Sequence, residues 1–280
     1  MRPEAGGRRP EAGLPLSIDW EDWYQLCLPG FDDHGRFVDR LEIATDRTLE
    51  LCADLGATAT WFCLADQARR HPELVRRIAE AGHRIAVQGL THARAFELDR
   101  GAWRAQLAEA RACLQDLSGQ AVVGYRAAEW SLRGPSESWW EDLPALGFAY
   151  DASRAPLSVI GDPARPRRAH RLPNGLWELP PPVLGPVPLW GWGLRCLPVN
   201  WTKALLARRA DRDPGTPVVL HPWELDEGQP PLPDVPWGHA FTHGAGLSGY
   251  GARLRRILRG IKLEPLEAWV LRRGGPNAGN

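Results

Sequence analysis

Short apolar or β-branched runs alternate with stretches of helical periodicity along most of this chain. That alternation limits the possible folds more than any other feature. Residues 14–19 (LPLSID) form an apolar run ending in a carboxylate, the pattern of a buried strand. Val38, Leu41, Leu49, Cys52 and Leu55 then recur at near-helical spacing across residues 37–55, and Gly56 closes that helix. A β-branched and aromatic strand follows at 58–64, then a short helix at 71–83 with Pro72 near its start and Gly82 near its end. Strands at 84–88, 122–126 and 148–151 alternate with helices at 101–118 and 136–146, which stop at Gly119 and Gly147. Residues 152–198 and 222–248 break the rhythm, being dense in Pro and Gly. Between them lie a helix at 200–211 and a strand at 217–221. A basic amphipathic helix at 250–259 and a strand at 261–266 complete the pattern. Such repetition predicts an α/β fold, a parallel sheet with helices outside it, open or closed into a barrel.

A chain of 280 residues can fill one such domain. We expect it to span 14–270, with loop-rich insertions at 152–198 and 222–248, a disordered leader at 1–13 and a frayed tail at 271–280. Lys plus Arg and Asp plus Glu balance at 34 each with no long run of either sign, so nucleic acid is not an expected partner. Five scattered cysteines without a CxxC point to reduced thiols and a cytoplasmic location, and away from structural zinc. No apolar run reaches the length of a signal peptide or of a membrane span, about 18 residues. The sequence carries no signal for an oligomeric state. Tryptophan is over-represented, 14 against 6 Phe and 4 Tyr; some of these flat rings are expected to line a groove and stack on sugars.

In a parallel α/β barrel the chemistry sits at the C-terminal ends of the strands. Here those ends carry Asp19, then Gln88 with His92, then Arg126, Asp151 and His221. In SIDWEDW, extended geometry puts Asp19 and Glu21 on one side and Asp22 on the other, a pair able to divide into general base and metal ligand. In VQGLTH, Gln88 precedes His92 by four residues; two imidazoles at that spacing could grip a metal, but residue 88 is an amide. FDDHG at 31–35 also gathers carboxylates and a histidine, yet no apolar strand leads into it, so it reads as a loop. His221, held by Pro222, becomes a proton donor if a carboxylate orients it, and Asp151 is the expected carboxylate.

LSIDWEDW, TATWFCLADQARRHPELVRRIAEAGHRIA, QGLTH, GYRAAEWS, GFAYDAS and LHPWELD, in that order, resemble the polysaccharide deacetylase (NodB-homology) family. Within it they are similar to the subgroup linked to exopolysaccharide synthesis, whose motifs read like DVEDW, SHGxxH, YRAPSFS, FxYDSS and HPWE. The resemblance covers residues 14–265. It implies a distorted (β/α) barrel and hydrolysis of non-peptide C–N bonds, the N-deacetylation of an amino-sugar polysaccharide or its precursor. It implies Asp19 as general base, Arg126 steadying it, His221 as acid and Asp151 tuning that acid. Glu21, or Asp22 in its place, with Gln88 and His92 would surround a divalent metal, zinc foremost. Trp20, Trp130 and Trp223 would hold the N-acetylated glycan. Two positions depart from the pattern: Ala128 stands where the family has proline, and Gln88 where it has its first histidine ligand. A neutral amide is a poorer zinc ligand than imidazole. The expectation is therefore weakened or absent metal dependence. The alternatives are a catalytically inactive glycan-binding relative and a metal-free amide hydrolase acting on a small substrate.

Overall fold

The computed structural model describes residues 13–31, 34–212 and 215–274. The expected leader and tail fall outside them, apart from Gly13 and residues 271–274. In chain order the elements are β1 (Leu14–Trp20), α1 (Leu41–Leu55), β2 (Thr60–Leu64), α2 (Ala65–Arg70), α3 (Pro72–Glu80), β3 (Arg84–Gly89) and α4 (Arg100–Ser118). Next come β4 (Gly124–Tyr125), β5 (Tyr150–Asp151), β6 (His170–Arg171), β7 (Trp177–Glu178), β8 (Val183–Leu184) and β9 (Val187–Pro188). The remainder are α5 (Gly191–Cys196), α6 (Val199–Arg212), β10 (Val218–Leu220), α7 (Trp237–Gly244), α8 (Tyr250–Leu258), β11 (Leu263–Pro265) and α9 (Leu266–Leu271).

The main sheet runs β10-β1-β2-β3-β4-β5-β7-β6, with β11 also paired to β1. All its pairings are parallel except β6 with β7. One edge of β1 is shared: Leu14–Leu16 register with β11, and Leu16–Ile18 with β10. Every residue of β1 and β2 is buried, as expected when both faces of a parallel sheet are covered. The period-two alternation of side chains then sorts neighbours into two layers. Trp61 and Cys63 pack outward with Leu107, Leu114 and Ile78 beneath the helices. Phe62 turns inward to join Ala86, Tyr150, Leu179, Leu266 and Trp269. The sheet is thus a curled, open barrel with its own filled interior, and α9 plugs one end. Leu266 N–H anchors that plug by donating to Thr60 Oγ1 at 3.0 Å.

Several elements differ from expectation for identifiable reasons. The first helix begins at Leu41, not 37. Val38 C=O accepts Trp23 Nε1–H at 2.9 Å and Arg40 N–H donates to Asp22 Oδ2 at 2.9 Å, which hold residues 38–40 outside the helix. The expected helix at 136–146 is instead a pair of single 3₁₀ turns, Gly134–Ser136 and Trp139–Asp142. Pro135, Pro144 and Gly147 leave too few backbone donors and too little helix propensity for a longer run. Within 152–198, β6 and β7 extend the main sheet, and β8 and β9 form a small hairpin. Among the described residues, no helix is long and apolar enough to cross a membrane.

Candidate active site

The C-terminal ends of β1, β3, β4 and β10 converge on one cleft of about 140 Å³. Asp19, Glu21, His92, Trp130, His221 and Trp223 line it, with Trp23 and Glu129 beside them. Asp19 leaves β1 pointing into the barrel. There Arg126, just beyond β4, bonds its Oδ1 and donates to Ser17 Oγ at 3.0 Å and to Ala152 C=O at 3.3 Å. The guanidinium also lies over the Phe62 ring, 4.2 Å from its centroid. Arg126 is 1% exposed and Asp19 2%. Burial pushes the Asp19 carboxyl up, while Arg126 and His221 pull the other way. One oxygen of Asp19 is therefore committed to Arg126; the other, Oδ2, faces His221 Nε2 at 3.9 Å.

His221 caps the short turn Pro222–Leu225, which brings Glu224 back beneath it. Glu224 Oε2 accepts both the His221 backbone N–H at 3.0 Å and the Nδ1–H at 3.2 Å. Burial opposes charge on this imidazole, but Glu224, Glu21 and Asp19 together raise it to about 9. His221 is thus an imidazolium at neutral pH with Nε2–H directed toward Asp19. Glu224, rather than the expected Asp151, lies against Nδ1. Asp151 belongs to a separate buried group: it bonds Ser153 Oγ and shares a carboxyl–carboxyl contact with Glu178, both held above their ordinary values first by burial.

The third constellation is Glu21, Gln88 and His92, which the fold does bring together. Both Gln88 Nε2–H and His92 Nε2–H donate to Glu21 Oε1, the latter at 3.1 Å. Burial alone would raise Glu21, but His92 and Gln88 bring it below the usual carboxylate range. His92 itself stands well above its ordinary value: Cys27 and Glu21 outweigh burial. Its Nδ1 is 3.5 Å from Cys27 Sγ.

One carboxylate, one imidazole and one neutral amide make a weak set for a resident zinc ion. Two donor N–H groups already converge on the carboxylate oxygen that would hold the metal. Gln88 Oε1, the atom that would ligate a metal, is buried without a hydrogen-bond partner, and a neutral amide oxygen binds zinc more weakly than imidazole. Among the described residues no group of three or more His, Cys, Asp or Glu is arranged to hold a metal. Asp22 offers no substitute ligand: its oxygens accept the backbone N–H groups of Trp23 at 2.8 Å and Arg40 at 2.9 Å, and it shapes the loop.

Of the expected aromatic contacts, Trp130 and Trp223 line the cleft and Trp20 does not. Trp20 follows Asp19 on the strand, so it points outward, fully buried, and donates Nε1–H to Thr45 Oγ1 at 2.9 Å. Trp23, Glu129 and Glu224 were not anticipated. Glu224 was legible in HPWE as a carboxylate three residues after the histidine. Glu129 and Trp130 both adopt left-handed backbone (φ 48° and 51°), a strained arrangement that turns Trp130 into the cleft against Trp190. A second cavity of about 390 Å³, lined by Cys27, His34, Thr91 and Arg94, shares Gln25, Leu26 and His92 with the first.

Comparison with known proteins bears on this geometry. Residues 30–144 match the family model "Polysaccharide deacetylase", and residues 152–270 match a domain of unknown function, DUF3473. A peptidoglycan deacetylase of Helicobacter pylori is 28% identical over 122 residues, 44% of this chain and 41% of that protein. A chitooligosaccharide deacetylase of Rhizobium leguminosarum bv. trifolii is 28% identical over 156 residues, 52% of this chain and 71% of that one. The chain thus spans under half the length of the first relative. A crystal structure from Mycobacterium smegmatis, named as a candidate polysaccharide deacetylase, superposes with a TM-score of 0.65 over 97% of this chain and 94% of that one. At 19% identity this likeness shows the fold, the distorted barrel expected from the sequence. The family model over residues 30–144 and the two curated relatives thus make this chain similar to polysaccharide deacetylases over about half its length or less.

Proposed function

We propose that this protein hydrolyses the N-acetyl group of an amino-sugar glycan, using Asp19 and His221 and no metal ion at Glu21, Gln88 and His92. The observation that carries the reading is the facing pair. Asp19 Oδ2 and His221 Nε2 stand 3.9 Å apart at the base of an aromatic cleft, and Arg126 holds the other Asp19 oxygen. A water between them would lose its proton to Asp19 as its oxygen bonds the amide carbon. As the C–N bond breaks, His221 gives its Nε2 proton to the departing amine. The products are acetate and a free amino sugar, and no other reactant is needed. The relatives named as peptidoglycan and chitooligosaccharide deacetylases support this substrate class. The adjoining 390 Å³ cavity favours a chain-like glycan over a small amide. The HPWE signature supports an exopolysaccharide or its precursor as the glycan, and five free thiols support a cytoplasmic site of action. The test is acetate release from N-acetylglucosamine oligosaccharides: wild-type protein releases it, and Asp19→Asn loses the activity by about 10²-fold or more.

One observation favours a second reading, a glycan-binding relative without turnover: no described cluster of His, Cys, Asp or Glu can hold the metal that the family commonly uses. Oligosaccharide binding by wild-type protein with no acetate released, with or without added zinc, would select it.

A further inference from the structure

The proton donor of the proposed reaction stands on a buried chain of charges that continues away from the cleft. Glu224 is fully buried, and its Oε2 takes both His221 donors. Its second oxygen, Oε1, faces Arg195 Nη1 at 3.5 Å. Arg195 lies on α5, its side chain has no exposure, and Nη2 donates to Thr242 C=O on α7. Its guanidinium also stacks over the Trp223 ring at 5.2 Å, and the His243 ring stacks parallel to Trp223 with centroids 4.2 Å apart. His243 is tied in turn to Trp23 C=O at 2.8 Å. A buried guanidinium is costly unless paired, and a buried carboxylate likewise. Their combined effect is local: one carboxylate oxygen is left for His221, and a carboxylate can only accept.

We propose that Glu224 and Arg195 are positioning residues for His221. Glu224 fixes the imidazole with Nδ1–H inward and Nε2 in the cleft, and Arg195 fixes Glu224. The proposal rests on His221 acting as the acid, and it gives part of residues 152–270, matched to a domain of unknown function, a task in that site. The titratable groups around His221 are Asp19 in β1, Glu21 just beyond it, Glu224 from its own turn and His243 from α7, with Arg195 of α5 behind Glu224.

The test needs no turnover. In ¹⁵N-labelled full-length protein, long-range ¹H–¹⁵N correlations of His221, identified by their loss in His221→Gln, report tautomer and titration midpoint directly. Wild-type protein should show a neutral form protonated at Nδ1 alone. Glu224→Gln should lower the midpoint by about one unit or more, and Glu224→Asp should restore part of it. Arg195→Met should replace the single tautomer with a mixture. A wild-type neutral form protonated at Nε2, or an unchanged midpoint in Glu224→Gln, overturns the role of Glu224. A single unchanged tautomer in folded Arg195→Met overturns that of Arg195. Absence of acetate release with these spectra as expected would instead count against the hydrolase reading alone.

Discussion

Gln88 puts an amide where the family pattern has a histidine, and its Nε2–H donates to Glu21 beside His92. The carboxylate that would face a dication is met by an amide and an imidazole N–H instead. Restoring the imidazole should reverse this. Gln88→His is expected to take up about one equivalent of zinc, measured by mass spectrometry after dialysis, while wild-type protein takes up none. Equal zinc in both would place the donor set elsewhere. The Asp19–Arg126 pair makes a second prediction at this scale. Arg126→Met leaves a buried carboxylate alone and should lower the unfolding free energy in urea by about 3–5 kcal/mol; adding Asp19→Asn should recover much of it. Asp19, Arg126 and His221 were legible because each ends a strand that the apolar pattern reveals. Trp20 was misread by one step of the alternation, which sends it out to Thr45. Asp151 was expected to orient His221. The sequence does not show that the turn after β10 folds a nearer carboxylate, Glu224, under the ring.

The short strands depend on close fits that no periodicity records. Gly124 in β4 lies against Tyr150 in β5, and a Cβ there would fall 2.2 Å from the Tyr150 ring. Gly119 at the end of α4 is left-handed (φ 66°), and a Cβ there would meet nothing within 4 Å. We therefore expect Gly124→Ala to cost about 3 kcal/mol or more, or to prevent soluble expression, while Gly119→Ala costs about 1 kcal/mol; urea unfolding of the pair measures the difference. Similar costs would contradict the packing described for β4 and β5. The long strands and α4 were legible because their burial is periodic over several turns or pleats. The two-residue strands β6 to β9 were not, since runs so short carry no period. The last helix, α9, was missed because Pro265 ends β11 and starts the helix within one residue, leaving no loop to mark the change.

Across the whole molecule, burial of titratable groups couples the fold to pH. His83 Nδ1 accepts the Ala59 N–H at 3.0 Å, and burial lowers the imidazole to about 4. The unfolded chain, with an ordinary imidazole at 6.5, binds a proton more readily, so stability from this group is full above pH 6.5 and is lost as pH falls toward 4. Asp22, raised to about 6 first by burial, acts in the opposite sense between its ordinary 3.8 and 6. The clean measurement is a difference: the stability gap between wild type and His83→Gln should shrink by about 3 kcal/mol from pH 7 to pH 4. A constant gap would mean that His83 is not held neutral. The barrel, the strand ends and the family pattern were readable together because parallel strands buried on both faces write long apolar runs. The insertions were not, because their packing against the cleft depends on single contacts such as Arg195 with Glu224.

The central claim is that an acid–base pair, without metal, cleaves an N-acetyl group. It is tested most directly by acetate release from N-acetylglucosamine oligosaccharides, with protein stripped by chelator and compared with the same protein given zinc. The account predicts equal release from both preparations and none above background from His221→Gln. Release seen in the zinc-treated protein alone, or in neither, would contradict it.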